Sequence, residues 1–374
     1  MKIAILAELL DPVPPSKSGG VNRIAFWLAE GLVKRGHNVT LFASSNSETS
    51  AKLVPVIEKS IREDAELCSS GFEALNEHYK NKALDEIVRL QEDFDVIHDN
   101  IGWRFLMHAS LINKPIVSTI HAPVGSPPYR ARIYTEISKM KNVSLVTVSK
   151  HQQEIFDSIE YHNFVYNGID LSKIKFTTEK GNYFVFLGRI TEEKGVHLAI
   201  EAAKKAGVQL KIAGGYPRLE DKLYFEERIK PQIDNQQIFY VGEVNDAEKS
   251  ELLAGSIALV NPMQVEEAFG LVMAESMAAG KPAIVYANGS APELIIDGKT
   301  GYLIDPAEGK VDRGRVIAKT GVGGLEQAIR KIDSLGDAEY EGMAVASHNH
   351  AREKFDIEKM VDSYERLFIE LLRK

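Results

Sequence analysis

NPMQVEEAFGLVMAESMAAG, residues 261–280, is the stretch on which the reading of the fold turns. The apolar residues Ile257 to Val260 before it predict a short buried strand. A loop carrying Glu266 and Glu267 follows, and Phe269-Gly270-Leu271 is expected to form the first turn of a helix. Glu275 falls two turns in, and Gly280 closes the helix with Pro282 just beyond. A helix N-terminus with glycine in its first turn offers free backbone N–H groups and a positive dipole end, which suits an anion such as a diphosphate. Glutamates beside it would repel phosphate itself. They suit hydroxyl groups on either side of it, one on a ribose and one on a sugar.

Working outward, the second half of the chain repeats a strand–helix plan. Tyr183 to Leu187 predicts a strand, and GRITEEKG (residues 188–195) follows at its carboxyl end. Thr191 is placed to cap the next helix, with Glu192 and Glu193 in its first turn. Arg189 and Lys194 are then two cations at a strand terminus, where a departing diphosphate would need them: a guanidinium can fork onto two oxygens while an ammonium acts as a point charge. Further strands are expected at Gln209–Ala213, Ile238–Val241 and Pro282–Tyr286, with a helix at Leu219–Ile229 and Asp246 capping another. The first half starts the same way. Lys2 to Ala7 reads as a buried strand, Gly19-Gly20 precedes a helix with Val21, Ile24, Ala25, Leu28 and Leu32 at helical spacing, and Gly36 ends it. Strands are expected at Asn38–Ala43, Asp95–His98, Pro115–Ile120 and Leu145–Val148, while residues 44–93 read as polar and helical.

Glu267 and Glu275, eight residues apart with Phe269-Gly270 between them and ESMAAGKP after, resemble the E-x7-E signature of the retaining, nucleotide-sugar-dependent glycosyltransferases of family 4 (glycosyl transferases group 1). GRITEEKG matches that family's G-R-x-x-x-x-K-G. The resemblance implies an α/β GT-B fold: two Rossmann-like parallel-sheet domains facing a central cleft, residues 1–168 on the acceptor side and 169–355 on the donor side. It also implies a C-terminal helix at 356–374 packing back on the first domain. It further implies a metal-independent hexosyltransferase acting with retention on a nucleotide-diphosphate sugar, UDP- or GDP-linked, with no cofactor and a glycan, lipid-linked or small-molecule acceptor. Arg189, Lys194, Glu267 and His121 are the implied catalytic residues. Gly19, Gly20, Gly188, Val241, Val244, Phe269, Gly270, Leu271 and Glu275 are the implied donor-binding ones. Met263 stands where the family usually has serine and Ser276 where it has alanine. A nucleotide-sugar epimerase on the same plan, or a nucleotide-sugar binding protein without transferase activity, are the alternative readings.

Composition bounds this further. The 374 residues suit two domains. Net charge is −8 and neither half is basic, with 18 Lys/Arg against 21 Asp/Glu in residues 1–170, which argues against nucleic acid as a partner. Cys68 is the single cysteine, so no internal disulfide can form. No apolar run is long enough for a signal peptide or a membrane span. The expectation is a cytoplasmic protein with room for peripheral contact at the inner membrane face, and nothing sets an oligomeric state. Arg130, Arg132, Lys139 and Lys141 read as a solvated face or, alternatively, as a basic surface touching a phosphorylated or membrane-bound acceptor. His98 and His121 end parallel strands, where side chains face a ligand crevice. Asp93-Phe94-Asp95 spells a metal-binding D-x-D, but Asp95 opens a buried strand at the end away from the crevice, so no metal is expected. Residues 309–324 read as a loop, and Ile357 to Leu372 as an amphipathic helix.

Overall fold

In its computed structural model the chain forms two units, one of Met1–Gly168 with Ile357–Lys374 and one of Ile169–Asp356. The structure describes residues 1–17, 19–63, 72–123, 129–216, 218–306 and 314–373; Cys68 and residues 309–313 lie outside these.

The first unit is built on a sheet with the order β3-β2-β1-β4-β5-β6-β7, every neighbouring pair parallel. Its strands are β1 (Lys2–Leu6), β2 (Asn38–Ser44), β3 (Lys52–Ile57), β4 (Val96–Asp99), β5 (Ile116–Ile120), β6 (Val143–Thr147) and β7 (Tyr161–Phe164). Strands such as IVSTI of β5 are buried along their whole length, as expected where a parallel sheet is covered on both faces. The chain runs outward from β1 through β2 to β3, then returns to lay β4 on the other side of β1. That reversal opens a crevice at the carboxyl ends of β1 and β4. The stretch 44–93 departs from expectation, because it contains β3. β3 carries Pro55, which is tolerated because β3 pairs with β2 alone, and an edge strand can lack an N–H.

The C-terminal helix Ile357–Leu372 belongs to this unit, burying Met360, Val361, Tyr364, Leu367 and Phe368. Tyr364 Oη lies 2.8 Å from Thr119 Oγ1, and Arg35 pairs with Glu358, Asp362 and Glu365 at 2.6–2.8 Å.

The second unit has the sheet order β10-β9-β8-β11-β12-β13, again parallel throughout. Its strands are β8 (Phe184–Leu187), β9 (Leu210–Ala213), β10 (Ile238–Gly242), β11 (Leu259–Asn261), β12 (Ala283–Tyr286) and β13 (Gly301–Ile304). Phe184, Phe186, Ile200, Ile212, Leu325 and Ile329 share one core. Here the chain reverses between β8 and β11, so the loops after those two strands flank one crevice. The expected loop at 309–324 is overturned at its end, since Gly321 to Gly324 begin the helix Gly321–Asp333.

Candidate functional site

In the second unit, the loops after β8 and β11 bring the sequence-predicted residues together. Gly188 leaves β8, its N–H bonded to Ala213 O at 3.0 Å. Thr191 caps the following turn, Glu192–Lys194, and its hydroxyl accepts from the Lys194 N–H. The Lys194 ammonium then donates to Glu267 Oε2 at 2.8 Å and to Met263 Sδ at 3.3 Å. Both partners of this pair are about four-fifths buried. Arg189 is exposed and forms no ion pair among the described residues.

The helix after β11 runs Leu271–Ala278, so Gly270 is its N-cap and Phe269 precedes it, and the helix starts two residues later than the sequence suggested. The cause is backbone conformation. Gly270 sits at φ 84, in the left-handed region, and an added Cβ would fall 2.2 Å from Met273 Cε. Phe269 is buried edge-on against Phe355, ring centroids 5.5 Å apart, so its side chain serves the core. The first N–H groups of the helix have no intrahelical acceptor, as at any helix start. Glu275, 4% exposed, points to Lys249, which donates to its Oε1 at 2.6 Å and also meets Asp246 at 3.2 Å. Val241 is exposed at the end of β10 and Val244 is half-buried in the loop beyond it. Asn245, rather than Asp246, caps the helix that carries Lys249, in a capping box with Glu248.

Sequence reasoning missed the residues that hold the Glu267 loop. Asn288 Nδ2 donates to Met263 O, Ser290 N–H to Glu267 O, and Ser290 Oγ to Phe269 O. Gln264 reaches back to Glu192 O and Glu193 O at 2.7 and 2.8 Å, joining this loop to the Lys194 turn. Gly289 stands at φ 56, and a Cβ there would lie 2.4 Å from the backbone of Glu267. Lys249 was missed too. Its only sequence signal is a lysine one turn into a helix, which is indistinguishable from a solvated charge.

In the first unit, Gly19 and Gly20 sit at the start of the helix Gly20–Lys34, after β1. Asn22 of that helix donates to Glu8 O and Asp11 O, fixing the loop between. His121 follows β5 and lines a cavity with Glu8, Lys80, Arg104 and Arg130. Its Nε2 meets Asn100 Oδ1 at 2.9 Å, and burial lowers its pKa to about 4, so it is neutral near pH 7. His98 is not at this cavity. It packs against Tyr364 and Phe368, bonds Thr119, and burial lowers its pKa to about 3. Asp95 accepts from the Lys2 N–H just before β4 begins, at the opposite end of the strand from Asp99. Of the four basic residues at 130–141, Arg130 is set apart from a solvated face because it lines the cavity. Among the described residues no helix is long and apolar enough to cross a membrane.

Two family models match the chain: Glycosyltransferase Family 4 over residues 18–173 and Glycosyl transferases group 1 over residues 169–312. O-antigen chain mannosyltransferase C of Escherichia coli is 22% identical over 96% of both chains. D-rhamnosyltransferase WbpZ of Pseudomonas aeruginosa is 25% identical over 78% of this chain and 80% of its own. Among solved structures, sucrose-phosphate synthase from Thermosynechococcus elongatus superposes with a TM-score of 0.81 at 18% identity, covering 100% of this chain and 99% of that one. HepE from Anabaena, in complex with UDP-glucose, gives 0.75 at 17% identity over 99% and 100%. With these matches over two parallel α/β units, the chain belongs to the GT-B glycosyltransferases of the group 1 and family 4 type.

Proposed function

We propose that the protein transfers a hexosyl unit from a nucleotide-diphosphate sugar to a hydroxyl-bearing acceptor, with retention at the anomeric carbon and without a divalent metal. The observation that carries this is the pairing of Lys194 with Glu267 at 2.8 Å beside the helix start at Gly270, across the β8/β11 reversal. Transfer builds negative charge on the leaving diphosphate. Preorganised cations and free N–H groups stabilise such charge most where it develops. Arg189, Lys194 and the N–H groups of Gly270 and Leu271 take that role, so a metal is not required to neutralise the leaving group. Glu275, oriented by its bond from Lys249, accepts from the ribose hydroxyls.

Glu267 is bound to the Lys194 ammonium, which stabilises its carboxylate and lowers its nucleophilicity. That favours a hydroxyl-binding role on the donor sugar over a covalent glycosyl intermediate, with departure and attack on the same face. The relatives named as mannosyl- and rhamnosyltransferases, and the neighbour solved with UDP-glucose, support a hexose donor linked to a nucleoside diphosphate.

The test is incubation with UDP- and GDP-linked hexoses, with and without glycan and lipid extracts, followed by NMR of the product anomer and by EDTA addition. Nucleoside diphosphate release with a retained anomer and no effect of EDTA is expected. Sugar nucleotide converted with no acceptor product indicates epimerisation and overturns the proposal, as does an inverted anomer.

A further inference from the structure

The first unit carries a cavity of about 180 Å³ at the β1/β4 reversal, with His121 on one wall and a group of charged side chains on the others. Its walls come from distant parts of the chain. Lys80 is supplied by the helix Phe72–Leu90, Arg104 by Trp103–Leu106, Arg130 by Tyr129–Ile137 and Glu8 by the loop after β1. Below it, Asp99 takes N–H groups of Ile101 and Gly102 and the Ser118 hydroxyl, which locks the turn that carries Trp103 and Arg104.

Lys80 is 93% buried, yet among the described residues its ammonium has one partner, Glu8 Oε1, at 3.4 Å. An ammonium has three protons to donate. Arg130 Nε is buried without an acceptor, and Glu8 Oε2 is buried without a donor. Arg104 is already committed to Glu77 at 2.6 Å and lies over the Trp103 ring. Buried polar atoms are normally satisfied, so three under-satisfied groups on one cavity define a ligand's chemistry. Two cationic donors need an anion, and one carboxylate oxygen needs a hydroxyl.

Resting on the glycosyltransferase reading above, we propose that this cavity is the acceptor subsite and selects a polyhydroxylated acceptor bearing an acidic group, phosphate or carboxylate. Lys80 and Arg130 hold the acidic group, and Glu8 Oε2 accepts from a neighbouring hydroxyl.

The experiment is calorimetric titration of the full chain with glucose, glucose 6-phosphate and glucuronate at millimolar concentrations, alongside UDP. Wild type and Arg130→Gln are compared, with Lys80→Gln as a second variant whose folding is checked by its UDP affinity. At least one acidic probe is expected to bind tenfold or more tightly than glucose, and Arg130→Gln to remove most of that advantage while UDP affinity stays the same. Preference for glucose 6-phosphate assigns phosphate, and preference for glucuronate assigns carboxylate. Equal affinity for glucose and both acids overturns the proposal. So does an acid preference that survives both substitutions, or no binding by any probe. Failure of UDP and nucleotide sugars to bind at all would instead sink the donor reading, whatever the acid probes do.

Discussion

Replacing Lys249 by Met removes the only cation that, among the described residues, pairs with the buried Glu275 carboxylate. Breaking a fully buried ion pair by deleting one partner costs about 3–5 kcal/mol, because the surviving charge is left without compensation. Exposed pairs cost about 0.2–1 kcal/mol. The Glu275 side chain is 5% exposed and that of Lys249 16%, joined at 2.6 Å, so the site lies near the buried limit with some access for water. A loss of roughly 2–3 kcal/mol from the second unit follows. Both tryptophans, Trp27 and Trp103, lie in the first unit, so intrinsic fluorescence would report the wrong transition. Hydrogen exchange at the slowest amides of β11 and β12 reads the second unit alone. Adding Glu275→Gln to Lys249→Met removes the stranded charge, and the double variant should regain at least half of the loss. A loss of no more than about 0.5 kcal/mol, as for an exposed lysine, refutes the reasoning. So does a double variant no more stable than Lys249→Met.

Arg189→Ala and Lys194→Ala should each lower kcat by ~10²–10³ while leaving the fold intact, as expected when a preorganised charge at the leaving group is removed. Wild-type turnover in either would contradict the assignment. Gly289→Ala forces a side chain into the left-handed region, at about 1–2 kcal/mol, and presses its Cβ on the Glu267 backbone. Displacement of the Glu267 loop by about 1 Å should cost ~10² in kcat/KM, and unchanged kinetics would show that the loop yields freely. For His98, burial depresses the folded pKa to about 3 from 6.5. The unfolded chain therefore binds the extra proton first, and the stability conferred by neutral His98 is lost as pH falls below 6.5. Relative to His98→Gln, wild type should lose roughly 1.4 kcal/mol per pH unit below 6 in acid unfolding of the first unit. Parallel curves for the two proteins would refute it.

The α/β class was legible because it rests on local patterns. Runs such as FVFL in β8 bury every residue, and such runs alternate with amphipathic stretches such as Ile24–Leu32. The family resemblance was legible for a similar reason: Glu267, Gly270 and Glu275 lie on one loop and helix, as Arg189 and Lys194 lie on one turn. Edge strand β3 was not legible, since residues 44–93 read as polar and helical and only the pairing with β2 selects Lys52–Ile57 as a strand.

The chain's own sequence thus determined which residues stand at strand ends and helix starts, since hydrophobic period, glycine and capping residues act over a few positions. Tertiary structure alone decided the partners: Lys194 with Glu267, Lys249 with Glu275, Gly289 under the Glu267 loop, and Lys80, Glu8 and Arg130 around one cavity. Those groups are tens of residues apart or more, and only the strand order, which reverses at β1/β4 and β8/β11, brings their loops to the same end of a sheet.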